Sequence, residues 1–417
     1  MKFQSIEIIN WRQFAEIKVD FHENLTILTG ANGSGKTTIL NILGKHYNWN
    51  INFVSTPTND LLSGTLRYLS GLLDDFPYPL IPFDSPPGMP PEHRNFYRSI
   101  GSIFYSNGQI GRLWVDSVVG SEYSVNIKDQ LPLTGLHIAS HRPIYSYKPV
   151  TSIPTQPFNR DQMYQQYYDS FLQRFLGNFH PNIKSPNQIM KESLLALAIF
   201  GEGNKYVLAD TKASNVFEGF QDILSKTLPP KIGFRKLSVR IPEIVFETKS
   251  GDFSLDAVSG GVSSIIDMAW RIFMRSPEGG TFVCSIDEPE NHLHPELQQS
   301  LLPNLVNAFP NVQFIITTHS PFMITAVYDS AVYVLDYNES NKVESQRLDS
   351  VNKSGTANEI LRNVLGLPFT MPLWAEQKFE SIVNKYAVSG VDEETVDELE
   401  AELKEAGLEN FLLDTNK

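Results

Sequence analysis

The order of hydrophobic and polar residues divides the chain into a β-rich start, a helical middle and an alternating end. Residues 2–9 alternate apolar and polar positions, and residues 25–30 (LTILTG) form an apolar strand that ends in glycine. Residues 36–47 then change to helical spacing. The middle, residues 160–226, contains three helical stretches that glycine, proline and asparagine separate. After residue 260, helix and strand patterns alternate, which predicts a parallel sheet.

These patterns predict an α/β fold whose sequence divides into four parts. The parts are an N-terminal lobe with β-hairpins (1–158), a helical insertion (159–230), a C-terminal lobe (231–345) and a helical C-terminal region with an acidic tail (346–417). Residues 99–128 predict antiparallel hairpins. The proline-rich stretch before them predicts a surface loop with one short helix at residues 61–73.

Composition and charge narrow the class of protein. The 417 residues are 41% hydrophobic and carry a formal net charge of −13. Residues 391–417 carry −8 of that charge, which leaves −5 on the other residues. A net negative charge does not suit a protein that coats nucleic acid by bulk charge, although it does not exclude a local basic groove. A single cysteine, Cys284, excludes an internal disulfide framework. Because we find no apolar run of about 18 residues and no signal-peptide pattern, we expect a cytoplasmic protein.

A glycine-rich motif at residues 30–37 (GANGSGKT) fits the spacing G-x-x-x-x-G-K-[ST] and lies between an apolar strand and a helix. Glycines let successive N–H groups point at a phosphate, and the helix adds the positive end of its dipole. In such a loop Lys36 neutralises phosphate charge and the Thr37 hydroxyl ligates Mg²⁺. The alternative is a glycine-rich turn before an ordinary helix. The residues predicted to bind nucleotide are Gly30, Asn32, Gly33, Ser34, Gly35, Lys36, Thr37 and Thr38.

Two later strands end in residues suited to phosphate chemistry. Residues 281–290 (TFVCSIDEPE) form an apolar strand that ends in Asp287 and Glu288, at the strand end where parallel sheets bind ligands. We expect Asp287 to hold Mg²⁺ and Glu288 to orient and deprotonate the attacking water. His319, which ends the strand FIITTHS, is expected to bond the γ-phosphate or that water. The alternatives are surface polarity for the acids and a backbone-satisfied histidine.

A second helix start, at Ser259, Gly260 and Gly261, also has the features of an anion site. These residues open the long amphipathic stretch at 257–273 (AVSGGVSSIIDMAWRIF), and helix N-termini bind anions. One nucleotide does not need two phosphate caps from the same chain. We therefore expect these three residues to close over the nucleotide of another subunit.

The order phosphate loop, SGG helix, IDEPE…HLHP and TTHSP resembles the ABC-type ATPases of the SMC, RecF and overcoming-lysogenisation-defect (OLD) group. The resemblance covers residues 1–45, including the opening IEIINWRQFAEIKVDF, and residues 250–340. It implies an ABC-type P-loop ATPase head with an antiparallel β lobe, a helical insertion and a C-terminal helical tail. It also implies ATP and Mg²⁺ as cofactors, and a signature, Ser259–Gly261, that binds the γ-phosphate across a dimer.

The same resemblance assigns several residues outside these motifs. It places residues 291–295 (NHLHP) in a dimer-facing loop and brings Arg12 to the nucleotide. The signature VSGG departs mildly from the LSGG of the group. A lobe-coupling glutamine is not evident: residues 140–142 (SHR) follow the strand LHIAS at the matching place without a glutamine, and Gln109 is a weaker candidate.

The function that the resemblance implies is ATP hydrolysis by a dimer or higher oligomer whose closing controls a separate effector. Stand-alone ATPases of this size look like the ATPase halves of anti-phage systems such as Septu, PARIS and retron modules. We therefore expect a co-encoded partner, a nuclease, since no HNH, PD-(D/E)XK or TOPRIM pattern follows His319. The alternative is a RecF-like repair or DNA-loading ATPase that binds DNA itself. The sequence IDEPENHLHPEL fits a membrane-transporter subunit less well.

Three other features are each open to more than one interpretation. His292 and His294 have the H-x-H spacing of a zinc site, although no further ligand lies nearby beyond the assigned acids. The aromatic run at residues 163–168 (MYQQYY) either stacks bases or forms core. The acidic tail helix has an apolar face at Val396, Leu399, Leu403 and Ala406; it is either a solvated terminal helix, or a partner dock or a mimic of DNA charge.

Overall fold

The computed structural model describes residues 1–59, 66–71, 97–116, 118–142, 147–155, 159–178, 183–277, 279–349, 355–366, 372–387 and 393–408. The chain divides into two compact units, residues 1–355 and 356–417. None of the helices within the described ranges combines the length and the hydrophobicity that crossing a membrane requires.

The first unit contains all the strands of the described residues. They are β1 (Phe3–Trp11), β2 (Phe14–Asp20), β3 (Leu25–Gly30), β4 (Phe53–Val54), β5 (Thr56–Asn59), β6 (Leu66–Leu69), β7 (Tyr97–Tyr105), β8 (Ile110–Asp116), β9 (Val118–Val119), β10 (Glu122–Tyr123), β11 (Asn126–Lys128), β12 (Gly135–Ile138), β13 (Phe234–Arg240), β14 (Glu243–Thr248), β15 (Gly251–Ser254), β16 (Phe282–Asp287), β17 (Val312–Thr317), β18 (Ala331–Tyr337) and β19 (Val343–Arg347).

The helices come mostly from the middle and the end of the chain. They are α1 (Lys36–Gly44), α2 (Arg160–Phe175), α3 (Pro186–Glu202), α4 (Thr211–Thr227), α5 (Gly260–Arg275), α6 (Pro295–Ala308), α7 (Pro321–Ile324), α8 (Ala357–Asn363), α9 (Leu373–Ala387) and α10 (Glu393–Glu405). Short 3₁₀ turns occupy Lys45–Tyr47, Pro230–Ile232 and Leu255–Ala257.

One large mixed sheet organises the first unit. Its eleven described strands lie in the order β11-β8-β7-β1-β2-β19-β18-β3-β17-β16-β12. The β11 to β2 part is antiparallel, as the hairpin pattern at residues 99–128 predicts. The β18, β3, β17, β16 and β12 part is parallel, which confirms the parallel sheet predicted from the alternating end of the sequence.

The parallel half forms the centre of the fold because its central strands are buried on both faces. Every residue of β3, β16 and β17 is buried, as expected for strands covered by helices on each side. Parallel strands all end at the same edge of a sheet, and that edge is where α/β folds bind ligands. The ends of β3, β16 and β17 therefore bring residues 30, 287 and 317 to one edge.

The helical insertion begins each of its helices with a polar cap. The side chains of Asn159, Ser185 and Asp210 accept hydrogen bonds from the first backbone N–H groups of α2, α3 and α4. Within the aromatic run of α2, Tyr164 is 6% exposed and Tyr167 only 1%. These two rings are core residues, so the base-stacking interpretation is wrong for them.

The prediction of a short helix at residues 61–73 is wrong for the part of that stretch that the structure describes. Residues 66–69 form β6, which pairs with β5 on one side and β9 on the other. The helical spacing of the leucines is overridden because backbone pairing with two neighbouring strands satisfies the N–H and C=O groups. Residues 60–65 and 72–73 lie outside the described residues.

The second unit gives the acidic tail helix a covered face. Leu403 and Leu408 are buried against Ala375, Phe379 and Ile382 of α9, with Leu399 and Ala406 at the margin of this cluster. The Tyr386 hydroxyl and the Lys385 ammonium both bond Glu402, at 2.6 and 2.7 Å. The apolar face of α10 around Leu403 is therefore not solvated, because it already has an intramolecular partner. The Val396 side chain lies outside the described residues.

Candidate functional site

The phosphate loop, residues 30–37, joins β3 to α1 through a path that requires glycine. Gly30, Gly33 and Gly35 have φ angles of 125°, 79° and 92°, a region that residues with a side chain rarely occupy. A Cβ at Gly30 would lie 2.1 Å from the Leu335 carbonyl oxygen, and one at Gly35 would lie 2.4 Å from the Phe14 ring. The loop conformation is therefore held by packing from two other strands, β18 and β2. Ser34 is buried, whereas Asn32 is exposed.

Lys36 opens α1 and lies inside the curve of the phosphate loop. Its side chain is buried, and Nζ donates to the carbonyl oxygens of Gly30 at 3.0 Å and Ala31 at 2.8 Å. Burial lowers the pKa of Lys36 to about 8, although the carboxylates of Glu288 and Asp287 oppose that shift. An anion at this loop would favour the charged ammonium, because an opposite charge stabilises the protonated form.

Thr37 and Asp287 meet at the carboxyl edge of the sheet, although 250 positions separate them. The Thr37 hydroxyl lies 3.1 Å from both carboxylate oxygens of Asp287. The Thr317 hydroxyl also donates to Asp287, and burial raises the pKa of that carboxyl. A hydroxyl and a carboxylate beside a phosphate loop are the oxygen ligands that Mg²⁺ takes in nucleotide sites, so these residues fit the predicted ion. Thr38, the next residue, is half-buried.

Glu288 lies in a tight turn at the end of β16, and we call residues 287–291 the acidic loop. Its backbone is left-handed, with φ of 46°, and its N–H bonds the Thr317 carbonyl at 3.1 Å. The side chain points between two partners: Asn291 Nδ2 donates to Oε2 at 3.0 Å, and His319 Nε2 lies 3.8 Å from Oε1. Glu288 and His319 are each about one third exposed, so both side chains remain accessible from solvent.

His319 sits between this glutamate and the phosphate-loop lysine. Burial lowers its pKa, the positive charge of Lys36 lowers it further, and the Glu288 carboxylate opposes both effects. A neutral imidazole can accept a hydrogen bond at one nitrogen and donate at the other. The structure thus brings Lys36, Thr37, Asp287, Glu288 and His319 together at one edge of the sheet.

Glu290 is a residue of this site to which the sequence interpretation gave no role. Its Oε1 accepts from the Thr318 hydroxyl and from the His319 backbone N–H, both at 2.7 Å. Burial raises the pKa of this carboxyl. Glu290 therefore fixes the backbone that carries His319. A third acid two residues after Glu288, at the end of an apolar stretch, was the available signal.

Arg142 is a second residue whose contacts the sequence did not reveal. It follows β12, is 8% exposed, and donates to the backbone carbonyls of Glu288, Pro289 and Asn291. The carbonyl of nearby Ser140 accepts from Asn291 at 3.3 Å, and the His141 ring bonds only its neighbour, Ser140 Oγ, among the hydrogen bonds described.

Gln109, the weaker candidate for the lobe-coupling residue, lies in a different part of the fold. It occupies the turn between β7 and β8 and is exposed. Its side chain and backbone bond Asn107. This turn belongs to the antiparallel half of the sheet, whereas Arg142 contacts the acidic loop. The segment at residues 140–142 is thus the one of the two candidates that touches the site.

The signature, Ser259–Gly261, forms the N-terminus of α5, as predicted. Ser259 is the N-cap residue, and Ser259 and Gly260 are exposed. Gly261 is buried: a Cβ there would lie 3.1 Å from the His292 carbonyl oxygen and 3.3 Å from Leu297. The signature of this chain thus packs against the segment after its own acidic loop, and its first two residues face solvent.

Arg12 lies in the turn between β1 and β2, beside the phosphate loop. Its backbone is left-handed, with φ of 53°, and its guanidinium carbon lies 5.9 and 5.8 Å from the ring centres of Trp11 and Phe53. The next residue, Gln13, donates to the Gly33 carbonyl at 3.4 Å. This turn therefore contacts the phosphate loop, and a contact between Arg12 and nucleotide stays a prediction.

The two histidines of the H-x-H pattern have separate surroundings. The Nδ1 atom of His294 accepts from the Glu296 backbone N–H at 3.4 Å and caps α6. His292 has a left-handed backbone, with φ of 70°, in the turn before that helix. Among the described residues, no three His, Cys, Asp or Glu side chains are arranged as a metal-ligand set.

Comparison with known proteins finds two ATPase family models that match parts of this chain. The family described as "AAA domain, putative AbiEii toxin, Type IV TA system" matches residues 124–325, and the family described as "AAA ATPase domain" matches residues 1–63. The Retron Vc95 probable ATPase of Vibrio cholerae serotype O1 biovar El Tor is 23% identical over 406 residues, covering 81% of this chain and 74% of the relative. The Septu protein PtuA of Bacillus thuringiensis is 25% identical over 376 residues, covering 86% and 83%.

Over residues 1–63 and 124–325 the chain is similar to AAA-type ATPase families, which agrees with the resemblance to ABC-type ATPases found in its sequence. The similarity to ATPase families and the α/β P-loop fold expected from the sequence are both confirmed. Among solved structures, an SMC head bound to the C-winged helix domain of ScpA aligns with a TM-score of 0.44 and 14% identity, over 84% of this chain and 98% of that one. In this chain the phosphate loop and the acidic loop occupy the edge of the sheet described above.

Proposed function

We propose that this protein hydrolyses ATP at the carboxyl edge of its parallel sheet. The main support is the convergence of Thr37, Asp287 and Glu288 beside the buried ammonium of Lys36. The phosphate loop would bind the nucleotide phosphates, with Arg12 at its side. Thr37 and Asp287 would hold Mg²⁺, which supplies charge neutralisation between the phosphates when it is bound.

Glu288 is the proposed general base. Its carboxylate is accessible, and Asn291 Nδ2 fixes one oxygen, leaving the other directed toward His319. Glu288 would accept the proton of the attacking water while His319 orients that water or the γ-phosphate. Glu290 would keep His319 in place through the hydrogen bond to its backbone N–H.

The signature supports a shared site. Ser259 and Gly260 are exposed at a helix N-terminus, whereas Gly261 is buried against the His292 carbonyl of the same chain. We propose that they bind the γ-phosphate of a nucleotide held by a second copy, so that a homodimer or higher oligomer contains two complete sites.

Substitution of Glu288 tests the chemistry. Glu288→Gln should bind ATP yet hydrolyse it about 10²-fold to 10⁴-fold more slowly, which is the range for a positioned acid–base group. Lys36→Ala should lose nucleotide binding, and Glu296→Gln, an acid on the surface of α6, serves as the matched control with wild-type turnover. Phosphate release and fluorescent-nucleotide binding measure the two effects. A Glu288→Gln protein with the wild-type rate would exclude Glu288 as the base.

We further propose that nucleotide-driven closing controls a separate effector, a nuclease, in anti-phage defence in the cytoplasm. The relatives named as retron and Septu proteins support this proposal, since each match extends over more than 80% of this chain. Purification of the tagged protein from its native operon, followed by mass spectrometry and a cleavage assay, tests it. A co-purifying nuclease is the expected result. Tight DNA binding by the purified chain without any partner would favour the RecF-like alternative.

A further inference from the structure

Arg142 connects two elements that belong to different parts of the ATPase. One terminal nitrogen, Nη2, donates to the Glu288 carbonyl at 2.6 Å. The other, Nη1, lies 2.7 Å from Ser264 Oγ, and 3.3 Å from the Pro289 and Asn291 carbonyls. Ser264 belongs to α5, the helix that begins with the signature. A single buried guanidinium thus holds the acidic loop and the signature helix together.

The connection is stiff on both sides. On the acidic loop, the Asn291 side chain also bonds the Glu288 carboxylate and the Ser140 carbonyl, so the loop and the residues around Arg142 are cross-linked. On α5, Ser264 lies four residues after Gly260, about one helical turn from the signature. Planar guanidinium groups hold their partners in fixed directions. A displacement of the acidic loop would therefore be transmitted to the start of α5.

The two elements serve different nucleotides in the proposed dimer. The acidic loop acts on the nucleotide bound by its own phosphate loop, whereas the signature closes over the nucleotide of the other copy. Arg142 is therefore placed between the two sites within each chain. A residue between the two nucleotide sites couples them if the acidic loop moves when nucleotide binds.

We propose that Arg142 is a positioning residue that transmits the state of one nucleotide site to the other through Ser264 and the signature helix. The proposal rests on the shared-site ATPase proposed above. It predicts positive cooperativity between the two sites. For a coupling of about tenfold, within the usual range of 5-fold to 150-fold, two sites give a Hill coefficient of about 1.5.

Two neighbouring serines of α5 provide a matched pair for the test. Ser264→Ala removes the link to Arg142 and leaves the Arg142 bonds to the acidic loop in place. Ser263→Ala removes a hydroxyl of similar burial, 6% exposed against 5%, whose bond is to the Gly260 carbonyl at 2.8 Å. Arg142→Lys keeps the charge but not the planar fork that reaches both elements.

The measurement is steady-state ATP hydrolysis against ATP concentration, at protein concentrations where sedimentation shows the same oligomer for every variant. Ser264→Ala and Arg142→Lys should lower the Hill coefficient to about 1, while Ser263→Ala keeps the wild-type value. A Ser264→Ala protein with the wild-type coefficient, or a wild type that hydrolyses ATP with a coefficient near 1, overturns the coupling and leaves the ATPase intact. Absence of hydrolysis in the wild type refutes the proposed ATPase, and the coupling with it.

Discussion

A buried lysine in the helical insertion offers a stability prediction whose size follows from its surroundings. Lys191, on α3, is 0% exposed, and its Nζ lies 2.5 Å from Asp256 and 2.7 Å from Glu243. The Lys148 carbonyl is a third acceptor at 2.9 Å. Replacing this side chain by methionine keeps most of its volume but leaves two carboxylates, of which Asp256 is almost fully buried, without their cation. Removing one partner of a buried pair costs about 3–5 kcal/mol.

An exposed pair of the same length serves as the control. Lys231 Nζ lies 2.5 Å from Glu296, but the two side chains are 79% and 51% exposed. Because solvent screens such a pair, Lys231→Met should change stability by no more than about 1 kcal/mol.

Urea unfolding of both variants, followed by tryptophan fluorescence at pH 7, measures the difference. A Lys191→Met protein whose midpoint stays within the range of Lys231→Met would refute the reasoning. It would mean that distance rather than burial sets the energy of these pairs.

Two further predictions concern the shared site and acid stability. Ser259→Arg should block ATP hydrolysis, while binding of a fluorescent nucleotide by the monomer stays near normal. Normal hydrolysis by this variant would contradict the proposed shared site. Burial lowers the pKa of His46 from 6.5 to about 4. Between these pH values His46 is protonated in the unfolded chain but not in the folded one. The free energy of unfolding therefore falls by about 3 kcal/mol as the pH drops from 6.5 to 4. Urea midpoints at pH 7, 6, 5 and 4.5 should fall less steeply for His46→Gln, and equal slopes would show that His46 does not contribute.

The sequence predicts those parts of the site that depend on local order. The phosphate loop needs glycines at fixed spacing between a strand and a helix, and both conditions can be read from neighbouring residues. The acids at 287 and 288 could be assigned because they end an apolar strand of a parallel sheet. In each case the strand pattern itself brings the residue to the ligand edge.

Contacts between distant parts of the chain could not be predicted in this way. Arg142 reaches Glu288 across 146 positions, and Lys191 reaches Asp256 across 65. Nothing in the sequence around an isolated cation says which backbone carbonyls or acids it will meet. For the same reason the sequence did not predict that α9 covers the apolar face of the tail helix at Leu403. It also did not predict the strand at residues 66–69, because pairing with other strands decides the conformation of those residues.

Two of these distant contacts, those of Lys191 and Arg142, hold α5 or the residues just before it. Lys191 holds Asp256, which lies three residues before the N-cap Ser259, and thereby ties the helical insertion to the signature. Arg142 holds Ser264, on the first turns of the same helix, and ties it to the acidic loop. A helix N-terminus binds a phosphate only when its N–H groups are fixed in direction. Two buried cations, one from the insertion and one from the residues after β12, provide that fixation by holding one residue before the signature and one after it. The signature is therefore held by long-range charge contacts, whereas the phosphate loop is held by its own glycines and the packing around them.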